Sequence, residues 1–186
     1  MRWWVFTLFV FASLVLDMSV LSELRVGELR PSALAVVALF VALWAPKMTA
    51  LWACLIVGAV VDLSSPMRPA GAEPIHLLGP NVLGYAFACA LMLQIRGIVM
   101  RRQVFAIAVL ACVFLIAASV VVTAILTVRS WFTAEFAQLA PTRDLLRRLG
   151  SAAYTGVLGL PLGWLLLKTA VWWGFQTVAP GRAGWR

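Results

Sequence analysis

Six runs of apolar residues, joined by short polar or proline-containing connections, make up most of the chain. The runs cover residues 3–21, 31–45, 48–61, 77–95, 104–128 and 151–178. A helix needs about 20 apolar residues to cross the hydrocarbon core of a bilayer, so the second and third runs are short. The pattern predicts six transmembrane helices, in which the short pair forms a tight hairpin around Pro46 and Lys47. A re-entrant pair is the alternative for these two runs.

Composition shows which solvent the outside of these helices faces. Of the 186 residues, 63% are hydrophobic and 12% are charged, and the mean hydropathy is +0.99. Soluble domains average about 45–50% apolar and roughly 25% charged residues. The surface must therefore face lipid, which predicts an all-α membrane protein with one transmembrane domain over residues 1–186. Met1 and Arg2 precede the first run without an A-x-A cleavage motif, so we expect an uncleaved helix rather than a signal peptide.

The net charge of +8 is explained by the membrane. Basic residues beside transmembrane helices attract anionic lipid headgroups, so the charge requires no nucleic acid as a partner. Basic residues are divided almost evenly between the two sides of the predicted bundle. The acids outside the runs all fall on the side opposite the N-terminus: Glu23, Glu28, Glu73, Glu135 and Asp144. This distribution favours both termini on the cytoplasmic side.

The connection over residues 129–150 has an amphipathic pattern of its own. Aromatic and aliphatic side chains recur at helical spacing before Pro141, and a short second helix is predicted from Thr142. The residues that define the pattern are Trp131, Phe132, Phe136, Leu139, Arg147 and Arg148. We expect this outer-side loop to lie in the headgroup plane of the membrane. A docking surface for a partner protein is the alternative.

The last run contains the stretch GVLGLPLGW at residues 156–164. Gly159 and Gly163 are about one helical turn apart, and small residues at this spacing let another backbone approach closely. Pro161 between them removes one helical hydrogen bond and is expected to kink the helix. The pattern predicts a packing face within the bundle, and contact with another protein is the alternative.

Candidate chemistry is sparse. The single histidine, His76, lies in a proline-rich connection, and no nucleophile–base set or metal-binding motif occurs. The three cysteines are odd in number, which indicates buried thiols rather than a disulfide framework. They are Cys54, Cys89 and Cys112, all inside apolar runs. Asp17 and Asp62 lie near the ends of runs and are expected to end helices or to anchor hydrogen bonds. These observations predict a protein that is not an enzyme and holds no cofactor or metal.

The order of several small motifs along the chain is recognisable. Arg30 and Pro31 open the second run, Pro46 follows it, and the third run ends in a G-x-x-x-D-L-x-S stretch from Gly58 through Asp62. These motifs, in this order, resemble the MreD family, the integral-membrane rod-shape-determining proteins of bacteria. The resemblance covers residues 25–105 and, more weakly, 151–175. One departure lies after the aspartate, where a longer segment with several prolines replaces the family's short glycine-containing turn.

The resemblance implies a fold, a location and a set of partners. The implied fold is a six-helix bundle in the bacterial inner membrane, similar to the substrate-binding subunits of energy-coupling-factor transporters, with both termini cytoplasmic. The implied role is a non-enzymatic scaffold of the machinery that elongates the cell wall. The direct partner would be MreC, through its membrane helix and periplasmic region. The class-B penicillin-binding transpeptidase, RodA and MreB would be indirect partners.

Asp62 is the residue for which this resemblance gives the sharpest hypothesis. Gly58 lies one helical turn before it, on the same face. The Asp62 carboxylate is expected to accept hydrogen bonds from the turn that follows, or to pair with Arg30 or Arg68. In doing so it would shape the outer surface offered to MreC. The alternative is that Asp62 only ends the helix.

A small-molecule uptake subunit, like the vitamin-binding proteins that the bundle resembles, is the alternative function. A ligand pocket needs polar groups that converge on one cavity. The candidates inside the runs are Ser13, Asp17, Thr49, Gln94, Ser119, Thr123 and Thr155. Their convergence would favour uptake, and their dispersal would favour the scaffold.

Overall fold

A computed structural model describes residues 1–24, 29–64, 78–97, 103–132 and 141–174, and for residues 132 and 141–144 it describes the backbone only. In this part of the chain every regular element is helical. The helices are α1 (Trp3–Met18), α2 (Val20–Glu23), α3 (Ala33–Trp44), α4 (Lys47–Ser64), α5 (Pro80–Ile95), α6 (Val104–Phe132) and α7 (Pro141–Thr169). A 3-10 turn over Ala170–Trp173 follows α7.

Four segments of the described chain are long and apolar enough to cross a membrane. They are Trp3–Glu23, Lys47–Ser64, Val104–Trp131 and Leu145–Trp173. The helices α3 and α5 are apolar but shorter, with 12 and 16 residues. At 1.5 Å per residue, α3 is only ~18 Å long, well short of the ~30 Å hydrocarbon core. The fold is thus a helical membrane bundle, and the count of six spans stays a prediction.

The short helix α3 forms the centre of the bundle. It contacts α1, α4, α5, α6 and α7, and every residue from Ala33 to Leu43 is buried. Near the C-terminal end of α3, Phe40 packs against Trp173, with 5.4 Å between the ring centroids, and Trp173 packs against Phe9 of α1 at 4.8 Å. Because its neighbours shield it from lipid, α3 does not have to match the thickness of the bilayer.

The surrounding helices pack mainly in chain order. Contacts join α4 to α5, α5 to α6 and α6 to α7, while α1 packs against α3 and the terminal turn. The opposite side of α1 exposes large apolar side chains, among them Leu8, Phe11 and Val15. In water such a stripe would be unfavourable, but against lipid it needs no partner. The backbone N–H of Arg2 donates to the Trp173 carbonyl at 3.1 Å, so the two described ends of the chain meet at one end of the bundle.

The helices on either side of the predicted outer-side loop are longer than the apolar runs. The helix α6 continues to Phe132, and α7 begins at Pro141 and runs without a break into the last apolar run. Pro141 therefore occupies the first position of α7. The missing N–H of proline has no effect there, because the first N–H groups of a helix have no partner within it. The short amphipathic helix predicted from Thr142 is the first part of α7 rather than a separate element. Phe136 and Leu139 lie outside the described residues.

Candidate functional site

Asp62, in the last turn of α4, caps the N-terminus of α5. Its carboxylate accepts hydrogen bonds from the backbone N–H groups of Gly79 (2.8 Å), Asn81 (3.2 Å) and Val82 (3.3 Å). A fourth hydrogen bond comes from the Asn81 side-chain amide at 2.7 Å. The first N–H groups of a helix have no partner within the helix, and only 2% of Asp62 is exposed. The carboxylate thus supplies acceptors where little water reaches.

Asp17, in the last turn of α1, does the same for α3. Its carboxylate accepts hydrogen bonds from the backbone N–H groups of Ala33 (2.7 Å) and Leu34 (3.3 Å) and from the Ser32 hydroxyl (3.2 Å). The Ser32 hydroxyl oxygen in turn accepts from the N–H of Ala35 at 3.3 Å. Sequence analysis placed Asp17 near a helix end but did not identify the helix that it caps.

The two acids share one arrangement. Each lies in the last turn of its helix and caps a shorter helix that begins 16 residues (Ala33 after Asp17) or 18 residues (Pro80 after Asp62) later in the chain. Both caps lie at the same end of the bundle, because α1 and α4 both start at the opposite end. A negative charge is favourable at a helix N-terminus, since the backbone dipoles point their positive ends there. These carboxylates therefore fix both short helices at one end of the bundle, which we call the capped end.

Gly58 lies against the helix that Asp62 caps. A Cβ atom on Gly58 would come within 2.7 Å of the Val82 Cα and 2.9 Å of the Asn81 carbonyl oxygen. Both atoms belong to the backbone, so neither can move aside like a flexible side chain. Gly58 and Asp62, one helical turn apart on α4, thus hold the same turn of α5, one by close approach and the other by hydrogen bonding.

The capped end also receives support from α7. The Thr155 hydroxyl oxygen accepts from the backbone N–H of Ser32 at 3.1 Å, and the Ser151 hydroxyl oxygen accepts from that of Arg30 at 3.2 Å. Pro31, between these two residues, is buried. The Arg30-Pro31 motif is therefore the segment that leads into α3, and α7 holds its backbone. Sequence analysis identified the motif but missed Ser151 and Thr155 as its partners.

A pocket of about 320 Å³ lies at the capped end, between α1, α2 and the segment before α3 on one side and α4 and α5 on the other. Its polar lining residues are Asp17, Ser22, Arg30, Ser32, Ser64 and Tyr85. Its apolar lining comes from α1 to α4 and includes Met18, Leu21 and Val61. The pocket thus brings one acid, one base and several hydroxyl groups together at the capped end.

The glycine face of α7 packs inside the bundle. A Cβ on Gly159 would lie 3.4 Å from the Ala108 Cα, and one on Gly163 would lie 3.1 Å from the Ile107 Cγ2, both on α6. Gly156, one turn earlier, would clash with the Cys112 sulfur and extends the same face. Pro161 is exposed on the other side of α7, within a continuous helix. The glycines thus support contact between α6 and α7.

Four other predicted site residues take no part in the contacts that form the capped end. Pro46 precedes α4, and its carbonyl accepts from the N–H of Ala50 at 2.8 Å. Trp131 is 78% exposed in the last turn of α6. Arg147 is exposed and Arg148 is half-buried, both on the first turns of α7. These three side chains occupy one end of the α6–α7 pair, and their placement in the headgroup plane stays a prediction.

The opposite end of the bundle has its own polar contact, which sequence analysis missed. The guanidinium of Arg96 donates to the carbonyl of Ala45 at 2.7 Å, joining the C-terminal end of α5 to that of α3. Cations are favoured at helix C-termini, where the last carbonyls lack partners. The signal in the sequence is the position of Arg96, which is the first basic residue after the apolar run over residues 77–95.

The described residues contain no group of three or more His, Cys, Asp or Glu side chains that could hold a metal ion. His76 and Arg68 lie outside them. Cys54 and Cys89 are buried free thiols and Cys112 is a half-buried one. The Cys54 thiol donates to the Ala38 carbonyl at 3.6 Å, which is a packing contact between α4 and α3.

The architecture defines a class of protein: a helical integral membrane protein in which two acids, Asp17 and Asp62, cap short helices. Within that class, the family model for the rod shape-determining protein MreD matches residues 1–167, and the chain belongs to the MreD family. The family resemblance noted in the sequence is thereby confirmed. No curated protein matches the chain. No solved structure matches it either, so the expected similarity to energy-coupling-factor subunits stays a prediction.

Proposed function

We propose that this protein is a non-enzymatic scaffold of the cell-wall elongation machinery, which maintains rod shape by binding MreC. Through MreC it would connect to the class-B penicillin-binding transpeptidase, RodA and MreB. Membership of a shape-determining membrane family supports the role. The observation that supports this mechanism is the set of hydrogen bonds to Asp62. Through them its carboxylate holds the N-terminus of α5 in place.

A scaffold needs a surface whose shape is constant, and the capped end has the features of one. Two helix N-termini are held there by carboxylates, and backbone contacts at Gly58 and hydroxyl contacts from α7 hold the adjoining segments. Preorganised surfaces bind with less loss of conformational entropy. Asp62 therefore acts on a partner indirectly, by setting the position at which the chain enters α5.

The dispersal of the other polar residues in the apolar runs supports the scaffold over an uptake subunit. Of the seven candidates, only Asp17 lines the pocket at the capped end. Thr155 instead holds the backbone of Ser32, and Ser119 is buried on α6. A transported solute would require more of these groups to face one cavity.

The proposed orientation places the capped end on the outer side of the inner membrane and both termini in the cytoplasm. The test is labelling of single cysteines with a membrane-impermeant maleimide in intact cells, after the three native cysteines are replaced by alanine. Leu78→Cys lies at the capped end and Met48→Cys at the opposite end, and both side chains are well exposed. Labelling of residue 78 alone is expected, and labelling of residue 48 alone would reverse the orientation.

The experiment that tests the function is rescue of cell shape. A rod-shaped bacterium depleted of its own MreD should lose its rods and regain them when this chain is expressed in its membrane. The matched control is the same chain with Gly58→Leu, which the backbone of α5 cannot accommodate. The decisive host is the bacterium from which the chain comes. If the wild-type chain is present there as folded protein and does not restore rods, the proposal is contradicted.

The role of Asp62 is separable from folding. At equal amounts of folded protein, Asp62→Asn is expected to reduce the MreC that co-purifies with the chain, because the asparagine has fewer acceptors for the α5 N-terminus. Asp17→Asn, which alters the other cap, serves as the comparison. If both variants bind MreC as the wild type does, Asp62 only ends its helix.

A further inference from the structure

The pocket at the capped end has a chemical character that the scaffold role does not use. Two of its serines have already donated their hydroxyl protons: Ser22 to the Ser19 carbonyl at 2.7 Å, and Ser64 to the Val60 carbonyl at 2.6 Å. Each hydroxyl oxygen keeps its capacity to accept a hydrogen bond. Asp17 adds a carboxylate to the same lining. The pocket is therefore rich in hydrogen-bond acceptors, and one of them is a carboxylate.

A primary ammonium group is the complement of such a lining. It carries one positive charge and three N–H donors, and it accepts no hydrogen bond. A quaternary ammonium group carries the same charge but has no N–H to donate. The acceptors of Ser22 and Ser64 would distinguish the two, because only the primary amine can satisfy them.

The rest of the lining points to an amphiphile. Arg30 is exposed and lines the same pocket, and a guanidinium is well suited to a phosphate. The lining also contains apolar side chains, among them Met18 of α1 and Val61 of α4. Met18 is itself 57% exposed. A ligand with an ammonium, a phosphate and an acyl chain would match the three parts of the lining in turn.

We propose that this pocket binds the headgroup of a phospholipid that carries a primary ammonium group, as phosphatidylethanolamine does. The ammonium would lie against Asp17, Ser22 and Ser64, and the phosphate would lie towards Arg30. The same chemistry occurs in a soluble headgroup such as glycerophosphoethanolamine. The apolar lining between α1 and α4 favours the lipid over the free headgroup. This proposal does not depend on the binding of MreC.

The test is lipid retention by the purified full-length chain, measured by native mass spectrometry after delipidation and addition of defined lipids. The lipids are phosphatidylethanolamine, phosphatidylcholine and phosphatidylglycerol with identical acyl chains. We expect a preference of about tenfold for phosphatidylethanolamine over phosphatidylcholine, which corresponds to one charge-assisted hydrogen bond. Equal retention of the three lipids would overturn the proposal.

Two variants locate the binding. Asp17→Asn removes the negative charge and should bring the preference close to one. The double variant Ser22→Ala with Ser64→Ala removes two acceptors and leaves the α3 cap intact, so it remains informative if Asp17→Asn does not fold. It should reduce the preference several-fold. Ser130→Ala is the matched control, because Ser130 also donates to a carbonyl of its own helix (Thr127, 2.7 Å) but lies outside the pocket lining.

Two further results would count against the proposal. A preference for phosphatidylethanolamine that persists in both pocket variants would place the lipid elsewhere on the bundle. Displacement of the lipid by glycerophosphoethanolamine at similar concentration would show that the headgroup alone is recognised, and would make a soluble amine the ligand. Retention that falls only in the pocket variants, with no competition from the soluble headgroup, is the expected result.

Discussion

Replacement of Asp62 tests whether a buried carboxylate holds α5 in place. Asp62→Ala removes the acceptor of four hydrogen bonds, two of them short, and leaves three backbone N–H groups at the α5 N-terminus without it. Asp62→Asn keeps one side-chain oxygen as an acceptor and removes the charge. The two variants therefore remove different amounts of the same cap.

The expected magnitudes follow from the number and strength of these bonds. A hydrogen bond to a charged group contributes about 1.5–3 kcal/mol to stability. Leaving a buried donor without its acceptor costs about 1–3 kcal/mol of stability. Contributions at one site are not additive, and Gly79 is only half-buried, so water can replace part of the loss. We expect Asp62→Ala to lower the free energy of unfolding by about 3–5 kcal/mol. Asp62→Asn should lower it by about 1–2 kcal/mol.

The assay is reversible unfolding of the purified chain in mixed micelles by increasing SDS, followed by tryptophan fluorescence. Leu63→Ala is the matched control, because Leu63 is the next residue and its side chain is 59% exposed. This control should change the free energy of unfolding by less than about 1 kcal/mol. If Asp62→Ala is no less stable than Leu63→Ala, the carboxylate does not hold α5 and the reasoning is refuted.

Two further predictions use the same unfolding assay. Gly58→Ala places a Cβ 2.7 Å from the Val82 Cα and should lower the free energy of unfolding by about 1–3 kcal/mol. Gly97→Ala is the control: no atom lies within 4 Å of its Cβ, so its stability should be close to that of the wild type. Equal stability of the two alanine variants would show that α4 and α5 can separate freely. Arg96→Gln removes the 2.7 Å hydrogen bond to Ala45 and should lower the free energy of unfolding by about 1–2 kcal/mol. Arg96→Lys keeps the charge but not the planar guanidinium, so its stability should lie between those of Arg96→Gln and the wild type. If Arg96→Lys is as unstable as Arg96→Gln, charge does not contribute at this helix end.

The role of Asp62 in the fold could be predicted because its partners are close in sequence. Gly58 and Asp62 lie one turn apart at the end of an apolar run, and the next helix begins soon after, so a hydrogen bond to the following turn was a natural expectation. The structure shows that bond and adds the Asn81 amide. Neither Arg30 nor Arg68 was needed to explain the acid, since the N–H groups of α5 account for its acceptors.

The central position of α3 could not be predicted in the same way. Periodicity separates a buried face from a water-facing one, but lipid and protein interior are both apolar, so a membrane helix shows little difference between its two faces. The cap from Asp17 was missed for the same reason. Its connection to the N–H of Ala33 depends on how α1 packs against α3, which no local pattern reveals. The same holds for the hydroxyl of Thr155, which lies more than a hundred residues from its partner Ser32.

The longer extent of α7 shows how one residue can indicate opposite structures. Pro141 can end a helix that precedes it or begin one that follows, and sequence analysis treated it as a break before a short separate helix. In the structure it opens a helix of 29 residues. Nothing between Thr142 and the last apolar run is strong enough to end that helix, because Gly150 alone weakens it by only about 1 kcal/mol.

The measurement that tests the proposed scaffold most directly is the amount of MreC that co-purifies with the wild-type chain from solubilised membranes of its host. An unrelated membrane protein of similar size, expressed at the same level with the same tag, gives the background. We expect MreC to be retained well above that background. A chain that is folded and membrane-inserted but retains no MreC, or that instead retains the paired ATPases of an uptake system, would contradict the proposal.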